Sequence, residues 1–87
     1  MNERTIILKA TRVTTMWISD EKRLVVAAFI PGANSINEFR TAETLSQRFR
    51  VDINDETGEF TTGMLWRIET LQVSDDRRAL NLLLVKA

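Results

Sequence analysis

Cysteine and histidine are both missing from this chain, and together these absences remove much of the usual chemistry. Without cysteine there is no disulfide framework and no structural thiolate metal site, and without histidine the commonest general base and metal ligand is gone. No zinc and no other cofactor is expected. One proline and three glycines are too few for a disordered or low-complexity segment, and they form no phosphate-cradling loop. Charge of one sign is lacking as well: twelve Lys and Arg balance twelve Asp and Glu, so no net field draws the chain to a polyanion or an anionic membrane. The longest apolar run, Leu24 to Ile30, is far too short to cross a bilayer, and no basic region followed by an apolar stretch opens the chain. The expectation is a soluble, cytoplasmic protein with no membrane association.

What remains is strand chemistry. At 87 residues and 44% hydrophobic, the chain makes a single domain over residues 1–87 with a thin core, a size at which assembly with further copies often supplies missing burial. Arg48-Phe49-Arg50-Val51-Asp52-Ile53 alternates charged and apolar residues, which sends Phe49, Val51 and Ile53 to one face of a strand and the charges to the other. Thr5 to Ile18 is rich in β-branched residues and reads as a strand bent near Ala10. Ser19 to Lys22 is a polar turn, and Arg23 to Ile30 returns as an antiparallel partner that Pro31-Gly32 ends. Asn54 to Glu59 is a turn cluster. Met64 to Val73 and Ala79 to Val85 are two longer strands around the polar turn Ser74 to Arg78, with Trp66 as core anchor and Leu80, Leu82 and Leu84 on one face. Leu83 and Val85 fall on the other face, so that side must be covered, by the middle segment or by another subunit. The total is a mainly β protein, a small antiparallel β-barrel or sandwich of five to six strands.

The middle segment, residues 32–47, admits two readings. Ser35-Ile36-Asn37-Glu38 has capping-box spacing, and Ile36, Phe39, Ala42 and Leu45 follow at i+3 intervals, as in a short helix. Thr41 and Thr44 are weak helix formers, and a long loop carries the same composition. The loop is placed ahead.

Candidate chemistry is sparse. Asp52, Asp55, Glu56 and Glu59 cluster in sequence but read as a solvated turn, because EF-hand spacing is absent. A serine or threonine nucleophile would depend on Lys9, Lys22 or Lys86, none of which stands in a motif. Arg48, Arg50 and Arg67, with Phe60 or Trp17 as a stacking surface, could form a single-strand nucleic-acid face. Asp52 and Glu69 lie along the same faces, so cross-strand ion pairs account for those arginines without a ligand. Nine arginines against three lysines favour protein interfaces, where a planar fork meets carboxylates.

A larger pattern joins these pieces. Ile30-Pro31-Gly32-Ala33-Asn34-Ser35, a polar segment, the alternating strand Arg48 to Ile53, then Thr62-Gly63-Met64-Leu65-Trp66-Arg67-Ile68 and the ending Asp75 to Val85 together resemble the head-tail joining (head-closure, or stopper) proteins of tailed bacteriophages. The likeness covers about the last 60 residues. It implies a small β-barrel, not an enzyme, that assembles into a ring of its own copies between the portal-adaptor complex and the tail. Such a protein occupies the host cytoplasm during assembly and then the virion, near packaged DNA but without specific nucleic-acid binding. It also implies that 32–47 protrudes as an arm, with Ile36, Phe39, Arg40, Leu45, Arg48, Arg50, Leu83 and Val85 as interface residues. Folding of Ile36 and Phe39 back onto the barrel as a lid is the equal alternative for the arm. A nucleic-acid-binding or protein-binding regulator is the alternative for the function.

Overall fold

Alternating and β-branched segments become strands, and the middle segment becomes a helix. The computed structural model describes residues 3–18, 22–32, 34–61 and 63–87. Its elements are β1 (Arg4–Lys9), β2 (Arg12–Ile18), β3 (Arg23–Phe29), α1 (Asn34–Thr44), β4 (Phe49–Asp55), β5 (Gly58–Thr61), β6 (Trp66–Val73) and β7 (Ala79–Lys86). The turn expected at Ser19 to Lys22 lies outside the described residues except for Lys22.

The fold is mainly β. Strands in the order β1-β4-β6-β7-β3-β2 form one sheet curled into a half-barrel, and β5 pairs with β4 as a short extra strand. The expected hairpins β2–β3 and β6–β7 are present, and β3 joins them by pairing with β7. One pairing departs from the antiparallel expectation: β1 and β4 run parallel, Arg4 beside Phe49 through Lys9 beside Asn54. A parallel pair needs a long crossover, and β2, β3 and α1 supply it. β5 is also additional; residues read as turn and approach, from Gly58 onward, return along β4 after a tight turn at Glu56-Thr57.

The bend at Ala10 shapes the sheet. Ala10 N–H donates to the Asn54 carbonyl at 2.8 Å, continuing the β1–β4 ladder, and Thr11 N–H donates to the Phe29 carbonyl at 2.8 Å, beginning the β2–β3 ladder. Within one residue the chain thus leaves one end of the sheet and joins the other, which curls the sheet on itself. A second device sits in β6. Ile68 lies opposite Leu84 but Thr70 lies opposite Leu83, so Glu69 is an extra residue. Such a bulge reverses side-chain parity. Trp66 and Ile68 before it and Leu71 and Val73 after it all turn to the core.

The helix lies against β6 and β1 on the concave side. Ile36, Phe39 and Ala42 are buried, and Phe39 meets Phe49 edge-on with ring centroids 5.9 Å apart. This corrects the preference for a loop: three apolar residues at i+3 spacing find a core to bury in, which outweighs the weak propensity of Thr41 and Thr44. The capping-box residues do something else. Ser35 Oγ donates to the Ile7 carbonyl at 2.9 Å, and Glu38 accepts from Arg4 at 3.3 Å, so both tie α1 to β1. At its far end the helix closes with a 6→1 bond from Gln47 N–H to the Ala42 carbonyl and a bond from Ser46 N–H to the Glu43 carbonyl. Ser46 takes φ of 52° there, the left-handed position of a Schellman cap.

Candidate assembly surface

The eight residues singled out as interface positions fall into three places. Ile36 and Phe39 are fully buried, so they are not contacts of a protruding arm; they are the side chains that fold α1 onto the sheet. Arg40, Leu45, Arg48 and Arg50 are exposed, the first two on the solvent side of α1 and its cap, the others at the start of β4. Leu83 and Val85 are half-buried on the convex face of β7, two strands away from β4.

Ion pairing also differs from expectation. Arg48 donates to Glu3 at 3.1 Å, and Glu69 pairs with Arg23 through two contacts at 3.0 and 3.3 Å. Asp52 is not a partner in either. The bulge explains the second case, because Glu69 lies off the ladder that aligns Arg67 with Val85. These exposed pairs contribute roughly 0–1 kcal/mol each. As for stacking surfaces, Trp17 leans on Trp66 at 5.5 Å and receives Lys86 at 5.5 Å, so part of its ring is occupied. The side chain of Phe60 lies outside the described residues.

The acidic turn is self-contained. Asp55 Oδ1 accepts from Thr57 N–H at 2.8 Å and from Thr57 Oγ at 2.6 Å. These bonds to the charged form, the hydroxyl's first, hold the Asp55 carboxyl below its ordinary range. Asp76 does the same in the β6–β7 turn, accepting from Ser74 Oγ at 2.6 Å and Arg78 N–H at 3.0 Å. Its carboxyl is lowered first by the Ser74 hydroxyl and then by the Arg78 amide. Both carboxylates organise turns. Among the described residues no group of three or more Asp or Glu stands close enough to hold a metal ion, and no helix is long and apolar enough to cross a membrane. A cleft of about 330 Å³ between β1 and α1 is lined by Ile7, Lys9, Pro31, Gly32, Ser35 and Glu38. Ser35 and Glu38 are already bonded to Ile7 and Arg4.

The convex face of β2, β3 and β7 is different. Register aligns Met16, Val25 and Leu83 in one row across the three strands, and Ile18, Arg23 and Val85 in the next. Phe29 and Ala79 align at the other end, with Ala27 between. Met16 is 58% exposed and Phe29 57%. The helix that could have covered this face packs on the concave side instead. Sequence reasoning found Leu83 and Val85 but missed Met16, Val25 and Phe29. A signal was available, since an almost unbroken apolar run such as Leu24 to Ile30 is apolar on both strand faces.

Comparison with known protein families, curated proteins and solved structures yields no match.

Proposed function

We propose that this chain is a non-enzymatic assembly subunit that joins other subunits through the convex face of β2, β3 and β7. We assign it to the head-tail connector (head-closure) components of a tailed phage or prophage, forming a ring between the portal-adaptor complex and the tail. The observation that carries the reading is that exposed Met16, in a row with half-buried Val25 and Leu83, shares the convex face with exposed Phe29, two rows along beyond Thr14, Ala27 and Asn81. Exposed apolar side chains that share one face of a small domain mark a contact surface or a liability, and assembly removes the liability. The family resemblance over the last 60 or so residues supports the connector assignment, and the want of histidine and cysteine favours a scaffold over a catalyst.

The test is light scattering after size exclusion and negative-stain imaging of the chain, alone and with the products of the genes beside it. Rings or larger assemblies are expected, and Phe29→Asp should abolish them while leaving the thermal unfolding curve in place. A chain that stays monomeric in every mixture refutes the reading, as do assemblies untouched by Phe29→Asp. Salt-dependent retention of single-stranded DNA on a filter would favour a nucleic-acid regulator instead.

A further inference from the structure

The two ends of the sheet are treated differently. β1, at one end, is held against α1 by Ser35 on the Ile7 carbonyl and by the Arg4–Glu38 pair. β2, at the other, has β3 on one side and no strand on the other among the described residues. Its seven residues keep unbroken register with β3, so no bulge turns the edge away. Arg-Val-Thr-Thr-Met-Trp-Ile contains no proline, no lysine and no carboxylate. Every residue in it is exposed or half-exposed. Natural edge strands are normally blunted by one or more of these devices, because a bare edge offers unpaired N–H and C=O groups to any extended segment.

We propose that β2 is a docking edge for β2 of a second copy, paired antiparallel about Thr15. The strand is compatible with itself in this arrangement: Thr14 faces Met16 of the other copy, Val13 faces Trp17, and Thr15 faces Thr15. Charge decides the orientation. Arg12 is the strand's sole charge, and a parallel pair would set the two arginines side by side. The antiparallel pair puts each opposite Ile18 and separates them by about 20 Å at 3.3 Å per residue. The pairing also makes the convex apolar faces continuous across the two-fold axis, Met16 of each copy lying beside the other's Thr14. Its extent is small. A seven-residue strand about 23 Å long in a layer about 10 Å deep contacts on the order of 250 Å² per partner, against roughly 800 Å² for a standard stable interface. The contact is therefore weak in dilute solution and reinforced wherever assembly raises local concentration. It is isologous and closes at two copies, so rings require a different surface. The inference stands apart from the connector reading.

A chain without cysteine permits a direct test. Thr15→Cys introduces a single thiol whose counterpart across the axis falls within the 4.4–6.8 Å Cα separation a disulfide needs, roughly. Under diamide at high protein concentration this variant should cross-link at least about tenfold faster than Gln72→Cys, an exposed position on β6. Sedimentation velocity reads register. Thr14→Lys/Met16→Lys should abolish concentration-dependent association, and Thr14→Glu/Met16→Lys should restore it, because each glutamate then faces a lysine of the other copy. Equal cross-linking at positions 15 and 72 overturns the proposal, as does failure of the complementary pair to restore association. Ring formation and these results vary independently, so the two readings can be told apart.

Discussion

Phe39→Ala tests where the helix belongs. Phe39 is fully buried, edge-on to Phe49 at 5.9 Å, and flanked on its helix face by Ile36 and Ala42, which are buried too. Truncating a buried phenylalanine costs about 3–5 kcal/mol in lost transfer free energy and residual cavity. A chain of 87 residues has a total stability of roughly 4–13 kcal/mol at ordinary values per residue. The variant therefore loses a large share of its stability, and Phe39→Leu, which keeps most of the volume, gives a smaller loss of about 1–2 kcal/mol. Arg40→Ala and Leu45→Ala, on the solvent side of the helix and its cap, should each fall within about 0.5 kcal/mol of the parent. Urea titration followed by tryptophan fluorescence and far-UV circular dichroism gives all four values. A loss below about 1 kcal/mol for Phe39→Ala, or equal losses for positions 39 and 45, would falsify the packed helix and return residues 32–47 to the role of a free arm. The same burial makes a charged residue at position 39 a probe of folding, not of assembly.

Three further outcomes follow from the turns and the bulge. Ser46 holds φ of 52° in the helix cap, so Ser46→Gly should raise stability by about 0.5–1 kcal/mol in a thermal melt. Asp55 and Asp76 have carboxyls lowered in the folded state by bonds from Thr57 and Ser74. Stability from a lowered carboxyl is present above the unfolded value, near 3.9, and is lost as pH falls through the folded value. The urea midpoint should thus drop as pH falls below about 4, and Asp55→Asn/Asp76→Asn should flatten that drop; an unchanged acid limb refutes the account. Deleting Glu69 joins Ile68 opposite Leu84 directly to Thr70 opposite Leu83 and keeps Trp66, Ile68, Leu71 and Val73 on one face, so circular dichroism should still show cooperative unfolding, and its loss refutes the bulge.

Strand existence was legible wherever a period of two ran clean. Phe49, Val51 and Ile53, Leu80, Leu82 and Leu84, and the anchor Trp66 are all buried as alternation requires, and the bend expected near Ala10 is where the chain changes ladders. What could not be read depends on tertiary structure. The parallel β1–β4 pair is set by the crossover that α1 provides, and no local residue preference distinguishes parallel from antiparallel in a half-buried strand. The bulge at Glu69 shows in the sequence only as two consecutive polar residues, Glu69 and Thr70, and takes on meaning when the parity of Leu71 and Val73 is compared with that of Trp66 and Ile68. Ser35 and Glu38 fit the cap pattern but serve a longer-range contact, since a hydroxyl and a carboxylate near a helix start can bond either their own backbone or a neighbouring strand. The candidate surface was half legible for the same reason. Leu83 and Val85 stood out as apolar residues on a side expected to be wet, whereas Met16 and Val25 became a surface only once register aligned them with Leu83 across β2, β3 and β7. That alignment shifts the assembly hypothesis from a protruding middle segment to the convex sheet face, with α1 closing the concave side.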